Sequence, residues 1–137
     1  MKVMLDDGAY MPERAHEDDA GYDLKTPIDA VVYKRSSVTI DTGIHIEIPK
    51  GYVGMLKSKS GLNVHSDLTG EGVVDSGYTG SIRVKLYNNG DKPYKFIRGE
   101  KIIQLVIVPF LAPELELVNE LSQTDRGSDG FGSTGRT

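Results

Sequence analysis

The chain contains no cysteine and no tryptophan. Without cysteine there are no disulfides, no thiolate nucleophile, no iron–sulfur cluster and no Cys-type zinc site. A small secreted scaffold stapled by disulfides loses its support for the same reason. Long apolar runs are also missing, since none approaches the roughly 18 residues that a membrane helix needs. Residues 1–14 carry no apolar core of the signal-peptide type. A surplus of positive charge is lacking too. Lys and Arg number 16 against 20 Asp and Glu, a net charge of -4, which argues against a broad basic face for nucleic acid. The expectation is a soluble cytoplasmic protein with no nucleic-acid and no membrane partner.

What remains is ordinary in bulk. The 137 residues are enough for one domain, and the 38% hydrophobic and 26% charged content is that of a globular chain. The 16 glycines are the unusual feature, and their placement carries information.

Strand patterns dominate. Ile44-His45-Ile46-Glu47-Ile48 alternates apolar and polar residues and stops at Pro49-Lys50-Gly51. Ser81-Ile82-Arg83-Val84-Lys85-Leu86-Tyr87 alternates again and ends at the turn signal Asn88-Asn89-Gly90. Residues 102–108 are almost continuously apolar, broken only by Gln104, and read as a strand buried on both faces. Weaker strands are expected at 30–33, 38–41, 52–57, 72–74, 94–97 and 115–118. Turn residues separate these segments every eight to twelve positions, the rhythm of an all-β sandwich or barrel. One short helix is expected at 60–65, with Ser60 as its N-cap. Short strands leave sheet edges to hide, and oligomerisation is the preferred way to hide them.

Several segments bear chemistry. Asp75 follows an apolar strand and meets a glycine-containing turn, with Tyr78 three residues on, so a hairpin would carry both to one mouth. A carboxylate at a strand end can orient and deprotonate a water, and a tyrosine ring can wall a sugar or base. The plainer alternative is a polar β-turn with a half-buried tyrosine. Lys57-Ser58-Lys59-Ser60-Gly61-Leu62 puts two hydroxyls, two cations and a glycine before the helix start. Backbone N–H groups there suit phosphate oxygens, although a solvated loop would look the same. Gln104 sits inside an apolar strand and needs a hydrogen-bonding partner, structural or ligand. Residues 126–135 offer Arg126 for phosphate, Phe131 for stacking on a base, and four glycines. Taken alone, this stretch reads as a flexible tail. His16, His45 and His65 show no metal-ligand spacing, and His45 is expected on the polar face of its strand. Glu17-Asp18-Asp19 reads as a solvated acidic loop.

Together these segments resemble the five ordered motifs of the trimeric deoxyuridine triphosphatase (dUTPase) family. They are Ala20-Gly21-Tyr22-Asp23-Leu24, Ser58-Lys59-Ser60-Gly61-Leu62, Gly72-Val73-Val74-Asp75-Ser76-Gly77-Tyr78-Thr79-Gly80, Gly99-Glu100-Lys101-Ile102-Ile103-Gln104-Leu105, and Arg126-Gly127-Ser128-Asp129-Gly130-Phe131-Gly132-Ser133-Thr134-Gly135. One such motif is weak evidence of kinship; five in order along nearly the whole chain are strong.

The resemblance implies a jelly-roll-like β fold, with a single domain over 1–137 divided into a β core at 1–124 and a mobile C-terminal lid at 125–137. It implies a homotrimer with three shared active sites. The implied activity is hydrolysis of dUTP to dUMP and pyrophosphate by water attack on the α-phosphorus. That reaction keeps uracil out of DNA and supplies dUMP for thymidylate synthesis. By position, Asp75 corresponds to the general base and Tyr78 to the ring packed under deoxyribose, which leaves no room for a 2′-hydroxyl. Thr69, Gly72 and Val74 belong to a hairpin that reads uracil through its backbone and rejects a C5-methyl. Lys59, Ser60, Gly61 and Gln104 correspond to phosphate-side contacts, Arg126 to the γ-phosphate clamp, and Phe131 to the lid ring stacked on uracil. Gly132, Ser133 and Thr134 complete the lid contacts. The implied cofactor is Mg²⁺ held mainly by substrate phosphates and waters, as this ion prefers, with Asp23 near the metal-bound waters. The related dCTP deaminases share the fold, but their deaminating Glu and Arg pattern has no match here. Some viral members also bind regulatory proteins, and nothing in this sequence supports such a partner. Two positions depart from the family pattern. Lys59 stands where arginine is usual, keeping the charge and losing the bidentate fork, so its contact is expected to be weakened or remade. Thr69 stands where many bacterial members carry asparagine.

Overall fold

A computed structural model gives the structure of the protein over residues 1–130. Eleven strands and one short helix follow in the order β1 Lys2–Leu5, β2 Gly21–Lys25, β3 Ala30–Val32, β4 Ser37–Asp41, β5 Ile44–Glu47, β6 Tyr52–Lys57, α1 Ser60–Ser66, β7 Leu68–Thr69, β8 Glu71–Val74, β9 Arg83–Asn88, β10 Tyr94–Phe96 and β11 Lys101–Pro109. All ladders are antiparallel. A four-stranded sheet runs β2-β11-β6-β8 and a three-stranded one β4-β9-β7, with the pairs β1-β5 and β10-β3 at the margins. This is an all-β jelly roll.

The alternating strands bury alternate residues. In β9, Val84, Leu86 and Asn88 point inward while Arg83, Lys85 and Tyr87 stay exposed. The facing strand β4 contributes Ile40, and β5 contributes Ile44 and Ile46. Phe96, Leu24, Ile103 and Leu105 complete a core that lets in no solvent. Each such side chain contributes about 1.5–3 kcal/mol of transfer free energy.

β11 shows why its apolar run is continuous. Its pairing with β2 shifts register between Lys101 and Ile103. The extra residue turns Ile102 and Ile103 both inward, leaving each no more than 1% exposed. Beyond Leu105 the strand becomes half-exposed, so it is buried on both faces only over its first part.

Two expectations need correction. Residues 115–118 form no strand: Leu115 and Leu117 are fully exposed with no neighbouring strand, and an isolated strand has no partner for its backbone groups. The cap of α1 is Lys59 in extended backbone, with no side-chain cap bond, and Ser60 is the first helical residue. Strands β1, β2 and β7 have no strong alternation of their own; long-range pairing forms them.

Candidate functional site

The first cluster lies where β6 ends. Ser58 interrupts the ladder, and its hydroxyl accepts from Gly70 N–H at 2.9 Å and donates to Gly70 C=O at 3.1 Å. This closed pair ties the approach to α1 to the β7–β8 junction. Gln104, in the neighbouring β11, donates its Nε2 to Ser58 C=O at 3.1 Å. The half-buried amide therefore has a structural partner on the backbone of the phosphate-side segment. Gly21 makes this possible, because a Cβ there would stand 2.3 Å from Gln104 Oε1. Ser60 and Gly61 open α1, where first-turn N–H groups have no helical acceptor. A Cβ on Gly61 would meet nothing within 4 Å, so the chain here faces open space.

The second cluster is an ion-pair chain beside the first. Asp23 in β2 is nearly buried and receives both Lys59 Nζ and Lys101 Nζ, the latter at 2.8 Å. Glu13 continues the chain to Lys25 at 2.8 Å and to Lys101 at 3.6 Å. Burial pushes the Asp23 carboxyl up, and the bonds and charges of the two lysines outweigh it, so its pKa lies below the ordinary carboxylate value. Thus the Lys59 contact is an intrachain pair to the carboxylate of the first motif. Lys101, part of the fourth motif but given no role by its sequence position, is its second partner.

The third cluster lies elsewhere. Asp75 follows β8, and its C=O accepts from Tyr78 N–H at 3.0 Å, closing a turn. Asp75 and Tyr78 line one cavity of about 260 Å³ together with Gly72, Val74 and Arg83. Tyr78 is 46% exposed, and its hydroxyl donates to Ser81 C=O at 2.8 Å, which lays the ring over Gly80. A Cβ at Gly80 would sit 2.6 Å from the Tyr78 oxygen, so only glycine allows this ring position.

Pairing register sets the separation between clusters. Val74 stands opposite Gly54, and Glu71 opposite Lys57. Asp75 is thus at the far end of the β6–β8 ladder from Ser58, about 17 Å along the strands. One chain does not bring its Asp75 to its own Ser60, Gly61 and Gln104. The segment that joins them also differs from a simple hairpin. Around Gly70, β7 pairs with β9 and β8 with β6, and the two arms do not pair with each other. Thr69 is half-buried, and its Oγ1 accepts from Asn89 Nδ2 at 3.1 Å.

Arg126 is exposed and donates its Nε to Asp129 C=O at 2.9 Å. Phe131, Gly132, Ser133 and Thr134 lie outside the described residues. Among the described residues no group of three His, Asp or Glu side chains is placed to hold a metal ion. No helix among them is long and apolar enough to cross a membrane.

Comparison with known proteins bears on these clusters. The family model for dUTPase matches residues 7–135. A deoxyuridine 5'-triphosphate nucleotidohydrolase of Clostridium acetobutylicum is 41% identical over 134 residues, covering 96% of this chain and 92% of that protein. The dUTPase of Staphylococcus bacteriophage 80alpha, solved with dUPNHPP, superposes with a TM-score of 0.92 at 35% identity, covering 98% of this chain and 97% of its own. A mutant dUTPase of phage phi11 of S. aureus, described with a structural Mg(II) ion, superposes at 0.81 with 33% identity, covering 87% of this chain and 96% of its own.

Proposed function

The chain belongs to the dUTPase family, and from that premise we infer that it is a dUTP diphosphatase, hydrolysing dUTP to dUMP and pyrophosphate. The observation that carries the chemistry is the common cavity of Asp75 and Tyr78 at a strand end. Asp75 accepts a proton from a water whose oxygen attacks the α-phosphorus. The bond from that phosphorus to the bridging oxygen breaks, and pyrophosphate leaves. Such a general base contributes about 10²–10⁴-fold. Tyr78, its ring held by Ser81 and Gly80, lies flat under deoxyribose and excludes a 2′-hydroxyl. Backbone groups of residues 69–74 read uracil. Ser60, Gly61, Lys59 and Gln104 take the phosphate side, and Arg126, Phe131, Gly132, Ser133 and Thr134 belong to a lid over residues 125–137 that closes on a core of residues 1–124.

The site is assembled from several copies. Proton transfer needs hydrogen-bond reach, whereas the ladder holds Asp75 about 17 Å from its own phosphate-side segment. A second copy supplies the missing half. Leu111, Leu115, Leu117 and Leu121 are each at least 86% exposed and offer an apolar strip for a neighbouring chain to cover. The proposed assembly is a homotrimer with shared sites.

The proposed cofactor is Mg²⁺. The chain's residues fit an ion that arrives on the substrate, because Asp23 is engaged by two lysines and, among the described residues, no three His, Asp or Glu side chains are grouped to hold a metal. Phosphate oxygens and waters are its preferred ligands. When bound, the ion neutralises phosphate charge and fixes the triphosphate conformation. Asp23 would stand on the side of its waters. The proposed compartment is the cytoplasm.

The test is a pyrophosphate-release assay across nucleotides. The expected result is release from dUTP far faster than from UTP, dTTP or dCTP. Equal rates on UTP would remove Tyr78 from sugar discrimination.

A further inference from the structure

His45 lies on the polar face of β5, as expected, beside Met4 of the paired strand β1, and its side chain is only 18% exposed. Both ring nitrogens are engaged. Nδ1 lies 2.8 Å from the carbonyl oxygen of Thr79, and Nε2 lies 3.3 Å from a carboxylate oxygen of Asp6. Both partners are pure acceptors, so the two contacts together require two N–H donors, which only the imidazolium has. Thr79 belongs to the turn that carries Asp75 and Tyr78. The turn is also held by the Tyr78 N–H to Asp75 C=O bond, the Tyr78 to Ser81 bond and the Ser81 hydroxyl to Asp41 bond. His45 is the one of these ties made by an imidazole.

We propose that His45 is a positioning residue for the reaction, an imidazolium strut that fastens the Asp75–Tyr78 turn, through Thr79, to the sheet and to Asp6. This rests on the reading of Asp75 as the base. The groups that face the ring are Asp6 after β1, Asp41 before β5, and the Thr79 carbonyl. Lys2 and Glu47, on the flanking strands, pair with each other at 3.0 Å. Asp41 is paired with Arg83 at 3.2 Å, so the charge that acts most directly on the ring is that of Asp6, which favours the cation. Its pKa is raised above the ordinary histidine value, first by the bond to Thr79 and then by Asp6.

Deprotonation does not weaken the two bonds equally. With one proton left, the ring keeps the shorter contact, Nδ1–H to Thr79 C=O at 2.8 Å, and gives up the Asp6 contact at 3.3 Å. The turn stays bonded to the ring, but the ring is no longer anchored to Asp6. The strut is complete below the ordinary histidine pKa of about 6.5, and its Asp6 anchor is lost as pH rises through the higher native midpoint.

The test combines a titration with two isosteric variants of the full chain. Asparagine places its amide nitrogen where Nδ1 sits and glutamine where Nε2 sits. His45→Asn keeps the Thr79 contact at every pH, and His45→Gln keeps only the Asp6 contact. NMR of the imidazole resonances, with His45 assigned by its loss in His45→Asn, is expected to give a midpoint above 6.5. Wild-type kcat on dUTP is expected to fall about tenfold through that midpoint, a fraction of the roughly 10²-fold that a 1 Å misplacement costs. His45→Asn is expected to show a flat alkaline profile, and His45→Gln a kcat about tenfold low throughout with KM little changed. A His45 midpoint at or below 6.5 in the wild type overturns the proposal, as does an unchanged alkaline limb in His45→Asn. Failure of the wild type to hydrolyse dUTP would sink the functional reading, while the midpoint, measured without substrate, would still decide the strut.

Discussion

Replacing Asp23 with asparagine probes the ion-pair chain that stands beside the phosphate-side segment. The substitution keeps the volume and removes the charge. It also turns an amide N–H₂ toward one of two ammonium groups, donor against donor. The magnitude follows from burial. The Asp23 side chain is 10% exposed, Lys59 27% and Lys101 35%. Exposed pairs are worth about 0–1 kcal/mol, and breaking a fully buried pair costs about 3–5 kcal/mol. With a buried acceptor and two half-solvated lysines, the expected loss is about 2 kcal/mol. For a 137-residue chain, the unfolding entropy is about 0.3 kcal/mol/K, so the thermal midpoint should fall by about 7 °C. The assay is thermal unfolding at one protein concentration, at neutral pH and again in acid. The Asp23 pKa is lowered in the folded state, so its contribution is full above the ordinary carboxylate value and disappears as pH falls through the native one. The gap between wild type and Asp23→Asn should therefore close in acid. A midpoint unchanged at neutral pH, or a gap that persists in acid, refutes the reasoning.

Two further outcomes are expected. Asp75→Asn should bind dUTP, read by calorimetry, and lose about 10²–10⁴-fold in turnover; an unaffected rate would remove Asp75 from the mechanism. A chain ending at Thr124 should keep its trimer by light scattering and lose nearly all activity, because residues 1–124 hold the buried core and Arg126 and Phe131 fall beyond it; full activity without the tail would refute the lid.

Local pattern carried much of this protein. The period-2 alternation of residues 44–48 and 81–87, the turn residues between segments and the absence of helical periodicity gave the all-β class, because a strand facing a core on one side writes its own pattern. The five motifs identified Asp75 and Tyr78, which the fold does place in one cavity. Tertiary structure decided what no local pattern encodes. Residues 115–118 look like a strand but have no partner, and a strand exists only through another strand's backbone groups. The opposite holds for β1, which has little signal and forms by pairing with β5. That pairing set the half-buried His45 against Asp6 and Thr79, residues 39 and 34 positions away along the chain. Lys101 met Asp23 in the same way. The resemblance of five ordered motifs to the dUTPase family pointed to which chemistry the chain carries. Long-range pairing decided which side chains meet, and hence that Asp75 lies apart from its own phosphate-side segment.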